Sequence, residues 1–107
     1  MTRMWMVDTR VLCRQHLLGE HKEIHQLVGS LLYGHNMRGR ADAGQIECRS
    51  IQDRHEELVQ ELQRRGYNHH SPLPSYPDTD LGEVDREASL TELLRRCPRC
   101  YARYITS

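Results

Sequence analysis

The stretch RVLCRQHLLGEHKEIHQLVGSLLY, residues 10–33, decides how the chain is read. Leu12, Leu17, Ile24, Leu27, Val28, Leu31 and Leu32 recur near helical intervals, which puts one apolar stripe on a helix from about residue 10 to 33. Asp8 or Thr9 can cap its start by accepting from first-turn N–H groups. Gly34, His35, Asn36, Gly39 and Gly44 then supply turn residues, with Arg38 and Arg40 as exposed cations. Ser50 followed by Asp53 reads as a loose capping box. Ile51, His55, Leu58 and Leu62 continue a second helix until Gly66 stops it in the left-handed conformation. The run Ser71-Pro72-Leu73-Pro74-Ser75-Tyr76-Pro77 cannot be helical throughout, because its prolines impose extended or turn geometry, and it reads as an ordered loop or strap. Leu90, Leu93, Leu94 and Cys97 suggest a third, short helix ended by Pro98, followed by a tail with Tyr101, Arg103 and Tyr104.

The length, 107 residues, fits one small domain over residues 1–107. Aromatic residues make up 6% and Phe is absent, a poor supply for a β-sandwich but adequate for helices rich in Leu and Arg. The expectation is an all-α, single compact three-helix domain. Fifteen basic and fifteen acidic residues cancel, so bulk charge gives no argument for a nucleic-acid partner, and local placement must carry one. Four cysteines without a secretory signal read as reduced thiols. Asp8 and Arg10 interrupt any apolar leader, and no stretch approaches the ~18 apolar residues that span a bilayer. These readings point to a soluble, cytoplasmic protein with no membrane partner.

Candidate chemistry is spread over several motifs. Cys97-Pro98-Arg99-Cys100 has the spacing of a redox pair or of half a zinc site, which His69-His70 could nominally complete. The redox version wants a βαβ setting that the chain lacks, and zinc needs a second ligand pair from elsewhere, so no metal or cofactor is expected. Cys13 and Cys48 read as small apolar residues. His55-Glu56-Glu57-Leu58-Val59 begins like a zinc-protease motif but has Val where the second His must stand. His16, His21 and His25 read as a solvated helix face rather than a metal site. At the N-terminus, Thr2 is small enough for Met1 to be removed. That would expose an α-amine beside Arg3 with a reference pKa of about 8, neutral and nucleophilic in usable fraction. Glu23 follows His16 by seven residues, one face of a helix and about 10 Å along its axis, with Gly19 leaving the face open between them.

The run Met1-Thr2-Arg3, then Gln15-His16-Leu17, Glu20 and Lys22-Glu23, resembles the start of the phage-type pyrimidine-dimer DNA glycosylases, the dimer-specific endonuclease V family. Glu61-Leu62 and Arg65-Gly66-Tyr67-Asn68 are similar to the end of that family's second helix, with fainter likeness at Glu87-Ala88-Ser89 and Tyr101 to Tyr104. The resemblance implies an N-terminal segment threaded between helices, with the Thr2 amine beside Glu23. It implies attack of that amine on C1′ of a flipped nucleotide, and a protonated imine that carries both base release and β-elimination at the abasic site. Glu23 would stabilise the cationic sugar and move protons; Arg3, Gln15, His16, Lys22 and Gln26 would contact DNA. The partner it implies is double-stranded DNA containing pyrimidine dimers or abasic sites, met by a monomer at the nucleoid. Gln26 stands where the family commonly has a cation, Lys22 stands in for an Arg, and Cys100 replaces a Trp ahead of Tyr101. The reading from a different class is a noncatalytic helical module that binds damaged DNA or a protein, with zinc held by Cys97 and Cys100.

Overall fold

The computed structural model describes residues 3–67 and 71–106. Among them the chain is helical and without strands: α1 (Arg14–Leu32), α2 (Arg38–Asp42), a 3-10 turn (Cys48–Ser50), α3 (Ile51–Arg64), α4 (Arg86–Arg96) and α5 (Pro98–Thr106). The Cα radius of gyration is 13.5 Å, near the ~13 Å of a compact chain of this length. Among the described residues, no helix is long and apolar enough to cross a membrane.

The all-α expectation holds, but the described residues form five helices rather than three. The differences have local causes. α1 starts at Arg14 rather than near residue 10, because Val11 and Leu12 donate to the carbonyls of Asp8 and Thr9 in a tight turn, while the Asp8 carboxylate is engaged by Arg10. Cys13 is the cap, in extended backbone, its Sγ accepting from the His16 N–H. Gly34 and Gly44, at φ of 71° and 70°, bracket a short helix in the segment read as turn. α3 begins and ends as expected, and Gly66 has φ of 89°, but the Ser50–Asp53 capping box does not form: the Ser50 hydroxyl donates to Glu47 instead. α4 starts before its apolar residues, where the Asp85 carboxylate accepts from the Ala88 N–H. Pro98, read as a stop, opens α5 in place of the expected tail. A proline lacks only an N–H that the first helical position leaves unpaired anyway.

The buried stripe of α1, Leu17, Ile24, Leu27 and Val28, packs with Ile51, Leu58 and Leu62 of α3 and Leu93 of α4. Leu73 and Tyr76, in the irregular proline-rich strap, lie against the same core. The chain ahead of α1 joins it as well. Met4, Trp5, Met6 and Val7 are buried; the Met4 N–H donates to the Gln45 carbonyl and the Ser89 hydroxyl to the Trp5 carbonyl, 2.8 and 2.6 Å. Met6 has φ of 57°, rare for a residue with a side chain and tolerated where surrounding contacts fix the backbone.

One buried ion pair ties these parts together. Arg54 of α3 forms a fork on Glu20 of α1, Nε to Oε2 at 2.6 Å and Nη2 to Oε1 at 2.9 Å, and its Nη1 donates to the Val7 carbonyl at 2.7 Å. Arg65 does the same on the flank, donating to the Thr9 and Leu12 carbonyls while paired with Glu61. Removing one partner of a buried pair strands the other charge, at a cost of about 3–5 kcal/mol, whereas apolar replacement of both can be nearly neutral. Arg54→Met is therefore expected to lower the urea midpoint sharply, and Glu20→Leu combined with Arg54→Met to recover most of it. Asp8→Asn, which breaks the exposed Asp8–Arg10 pair, is expected to leave the midpoint in place.

Candidate functional site

α1 is amphipathic with its polar edge turned away from α3, so residues spaced by one turn along that edge line a common surface. Gln15, His16, Gly19, Lys22, Glu23 and Gln26 border one groove of about 350 Å³, and Trp5 from the preceding segment closes its side. The structure thus brings together five of the seven residues assigned a catalytic or DNA-contacting part in the sequence, Gln15, His16, Lys22, Glu23 and Gln26, with Gly19 between them. Gln15, Lys22 and Gln26 are exposed at the rim, while His16 and Glu23 are half-buried. Gly19 keeps the groove open as expected: a Cβ there would meet nothing within 4 Å.

Arg3 is reached through Trp5. Its guanidinium lies over the indole, 3.9 Å from the ring centroid, and its Nη2 pairs with Glu92 of α4 at 2.7 Å. Thr2, the expected nucleophile, lies outside the described residues, as do His69 and His70. Trp5, Glu20 and Arg54 had no assigned part in the sequence reading. A tryptophan shortly after the terminus and a carboxylate one turn before Glu23 were the available signals, but neither reveals a partner tens of residues away.

Burial pushes the Glu23 carboxyl above the usual glutamate range, with nearby Glu20 adding to the effect and Arg3 and Arg40 opposing it. A carboxyl raised in this way holds its proton more readily than an exposed glutamate does. His16 is lowered, by burial first and by Arg96 second, so at neutral pH it is an uncharged imidazole that donates or accepts without a full charge. A larger hollow of about 690 Å³ lies beneath Met6–Arg10 and α3, but most of its charges are already paired, as in Arg54–Glu57, Arg64–Glu61 and Arg10–Asp8.

Two other clusters correct the sequence reading. His21 and His25 do not sit on a solvated face. His21 is buried and stacks on His55 of α3 with ring centroids 5.0 Å apart, His25 meets both rings, and His55 Nε2–H donates to the Ser71 carbonyl. The cause is the close approach of α1 and α3, which turns this edge of α1 inward. Cys13 is not merely a small apolar filler either: it and His16 lie against Cys97 and Cys100.

A family model described as pyrimidine dimer DNA glycosylase matches residues 2–75. No curated protein and no solved structure matches the chain.

The groove yields two expectations. Because the folded state raises the Glu23 pKa, it binds the proton more tightly than the unfolded chain, and the ionised carboxylate costs stability above the unfolded value. Glu23→Gln should thus raise the thermal midpoint at neutral pH, with the gain shrinking as pH falls through the carboxyl's titration. Gly19→Ala should stabilise the helix by up to about 1 kcal/mol in urea titrations, since the added methyl replaces a flexible residue and meets open space.

Proposed function

From the premise that the chain belongs to the pyrimidine dimer DNA glycosylase family, we propose that it is a repair glycosylase with associated abasic-site lyase activity, acting through its N-terminal α-amine. Once Met1 is removed, the Thr2 amine attacks C1′ of a flipped, damaged nucleotide. The C1′–N bond breaks, the base leaves with the electron pair and takes up a proton, and the sugar stays joined to the protein as a protonated imine. The imine acidifies the C2′ proton. Loss of that proton expels the 3′ phosphate by β-elimination and cuts the strand. Glu23 stabilises the cationic sugar and carries protons in ring opening and elimination. For this the N-terminal segment threads between helices, so that the amine meets Glu23 within a single domain over residues 1–107.

The observation that carries the reading is the groove itself: Glu23, with its raised pKa, lies among Trp5, His16, Gly19, Lys22 and Gln26, and Arg3 is close enough to act on its charge. Gln15, Lys22 and Gln26 on the rim, with His16 and Arg3, contact phosphates and sugars around the lesion. Dimer-containing or abasic duplex DNA is the substrate, bound by a monomer. With a formal net charge of zero, nonspecific binding rests on few neutralised phosphates and its salt dependence is shallow.

Borohydride trapping tests this directly. Processed protein incubated with abasic duplex DNA should give a covalent adduct, because reduction turns the imine into a stable amine, and reductive methylation of the terminus should abolish it. Glu23→Gln should slow strand cleavage by about 100-fold or more while DNA affinity changes little. Failure of the processed wild-type protein to form an adduct would sink the assignment and leave a noncatalytic damaged-DNA-binding module.

A further inference from the structure

We propose that Cys13, His16, Cys97 and Cys100 form a structural zinc site that fastens the start of α1 to the corner between α4 and α5. The sequence shows only two separated pairs, Cys13-Arg14-Gln15-His16 and Cys97-Pro98-Arg99-Cys100, each spanning one helical start. Folding brings them together. The four ligand atoms lie within 4.8 Å of one another, from three buried cysteines and a half-buried histidine.

Three of the ligand pairs lie near the separations that a tetrahedral metal requires. With zinc–sulfur bonds of about 2.3 Å and zinc–nitrogen bonds of about 2.0 Å, tetrahedral angles separate two sulfurs by about 3.8 Å and a sulfur from a nitrogen by about 3.5 Å. Cys13 Sγ and Cys97 Sγ are 3.8 Å apart, and His16 Nδ1 is 3.2 Å from Cys13 Sγ and 3.6 Å from Cys100 Sγ. A disulfide would need sulfurs about 2.05 Å apart, and the four cysteines are free thiols.

Each sulfur of the cluster also accepts one backbone N–H. The Cys13 N–H donates to Cys100 Sγ at 3.2 Å, the Cys100 N–H to Cys97 Sγ at 3.4 Å, and the His16 N–H to Cys13 Sγ at 3.5 Å. Such donors stabilise sulfur as thiolate, the form that binds zinc, and hold the ligands in place. Zn²⁺ displaces the three thiol protons to solvent and no electron is transferred. Three thiolates and one neutral imidazole leave the site with a single negative charge, and Arg96 is close enough to His16 to offset it.

Four protein ligands close the coordination sphere, so the ion is structural rather than catalytic. Its use is mechanical: a chain of this size has little core to spare, and a metal joining residues 13 and 100 gathers nearly its whole length. Metal at Nδ1 also leaves Nε2 as the N–H donor of His16, the one ring nitrogen then available to the groove.

The test uses the full chain, purified without chelator after expression in zinc-supplemented medium. Elemental analysis should find one zinc per chain, and cobalt loading should give thiolate-to-cobalt charge transfer with the visible bands of tetrahedral coordination. Cys48→Ala should keep the zinc, Cys100→Ser should lose it, and His16→Cys should keep it with stronger charge transfer, a readout that survives if the serine variant fails to fold. Folded wild-type protein free of zinc, with no tetrahedral cobalt spectrum, or with a Cys97–Cys100 disulfide, would overturn the site. These readouts do not depend on DNA chemistry, so they stand or fall apart from the glycosylase assignment.

Discussion

The structure depends on the fork between Arg54 and Glu20. A glutamate with no exposed surface and an arginine 2% exposed are tolerable only as a pair with nearly every donor and acceptor used, and here the remaining guanidinium nitrogen is taken by the Val7 carbonyl and Glu57. That third contact gives the pair its reach. It fixes the spacing of α1 and α3 and at the same time anchors the chain that precedes α1. An apolar pair of the same volume would bury as well, but would not bind a carbonyl, and the Met4–Val7 segment would have lost one of its few fixed points.

From this anchor the groove follows. The Val7 carbonyl is held from one side and the Trp5 carbonyl from the other by Ser89, so the segment runs buried across the molecule and brings the indole beside the polar edge of α1. Trp5 then supports Arg3 from below while Glu92 fixes it laterally. Glu23 lies one turn beyond Glu20, where burial raises its pKa without a buried fork like that of Arg54 and Glu20. Two glutamates three residues apart therefore have different lives. One is matched to an arginine and holds the fold; the other is half-buried, and burial makes its ionised form the costlier one.

The opposite end of the molecule is held by different chemistry. α4 and α5 meet the rest of the chain through Leu93 in the shared core and through a set of polar contacts: Ser89 on the Trp5 carbonyl, Arg3–Glu92, Arg103 on the Arg10 carbonyl and the sulfur cluster. Zinc among the sulfurs gives this small, Phe-free core a fixed point. His16 joins the two sites, since it belongs both to the cluster and to the groove.

Much of this was legible in the sequence. The stripe of Leu17, Ile24, Leu27 and Val28 announced α1, Gly66 announced the end of α3, and the prolines announced the strap, because helical period and backbone restriction are local properties. The polar edge from Gln15 to Gln26 was legible for the same reason: residues one turn apart on a helix share a face. Local rules failed where side chains had distant alternatives. Ser50 found Glu47 instead of its own helix, Asp8 found Arg10 instead of capping, and Pro98 began a helix because the chain turned there. Pairings separated by many residues were beyond reach: Glu20 with Arg54, Arg3 with Glu92, His21 with His55, and Cys13 and His16 with Cys97 and Cys100. The sequence determined which faces were apolar and which residues could do chemistry; the tertiary structure decided which of them meet, since spacing along one helix fixes neighbours only on that helix and the packing of one helix on another fixes the rest.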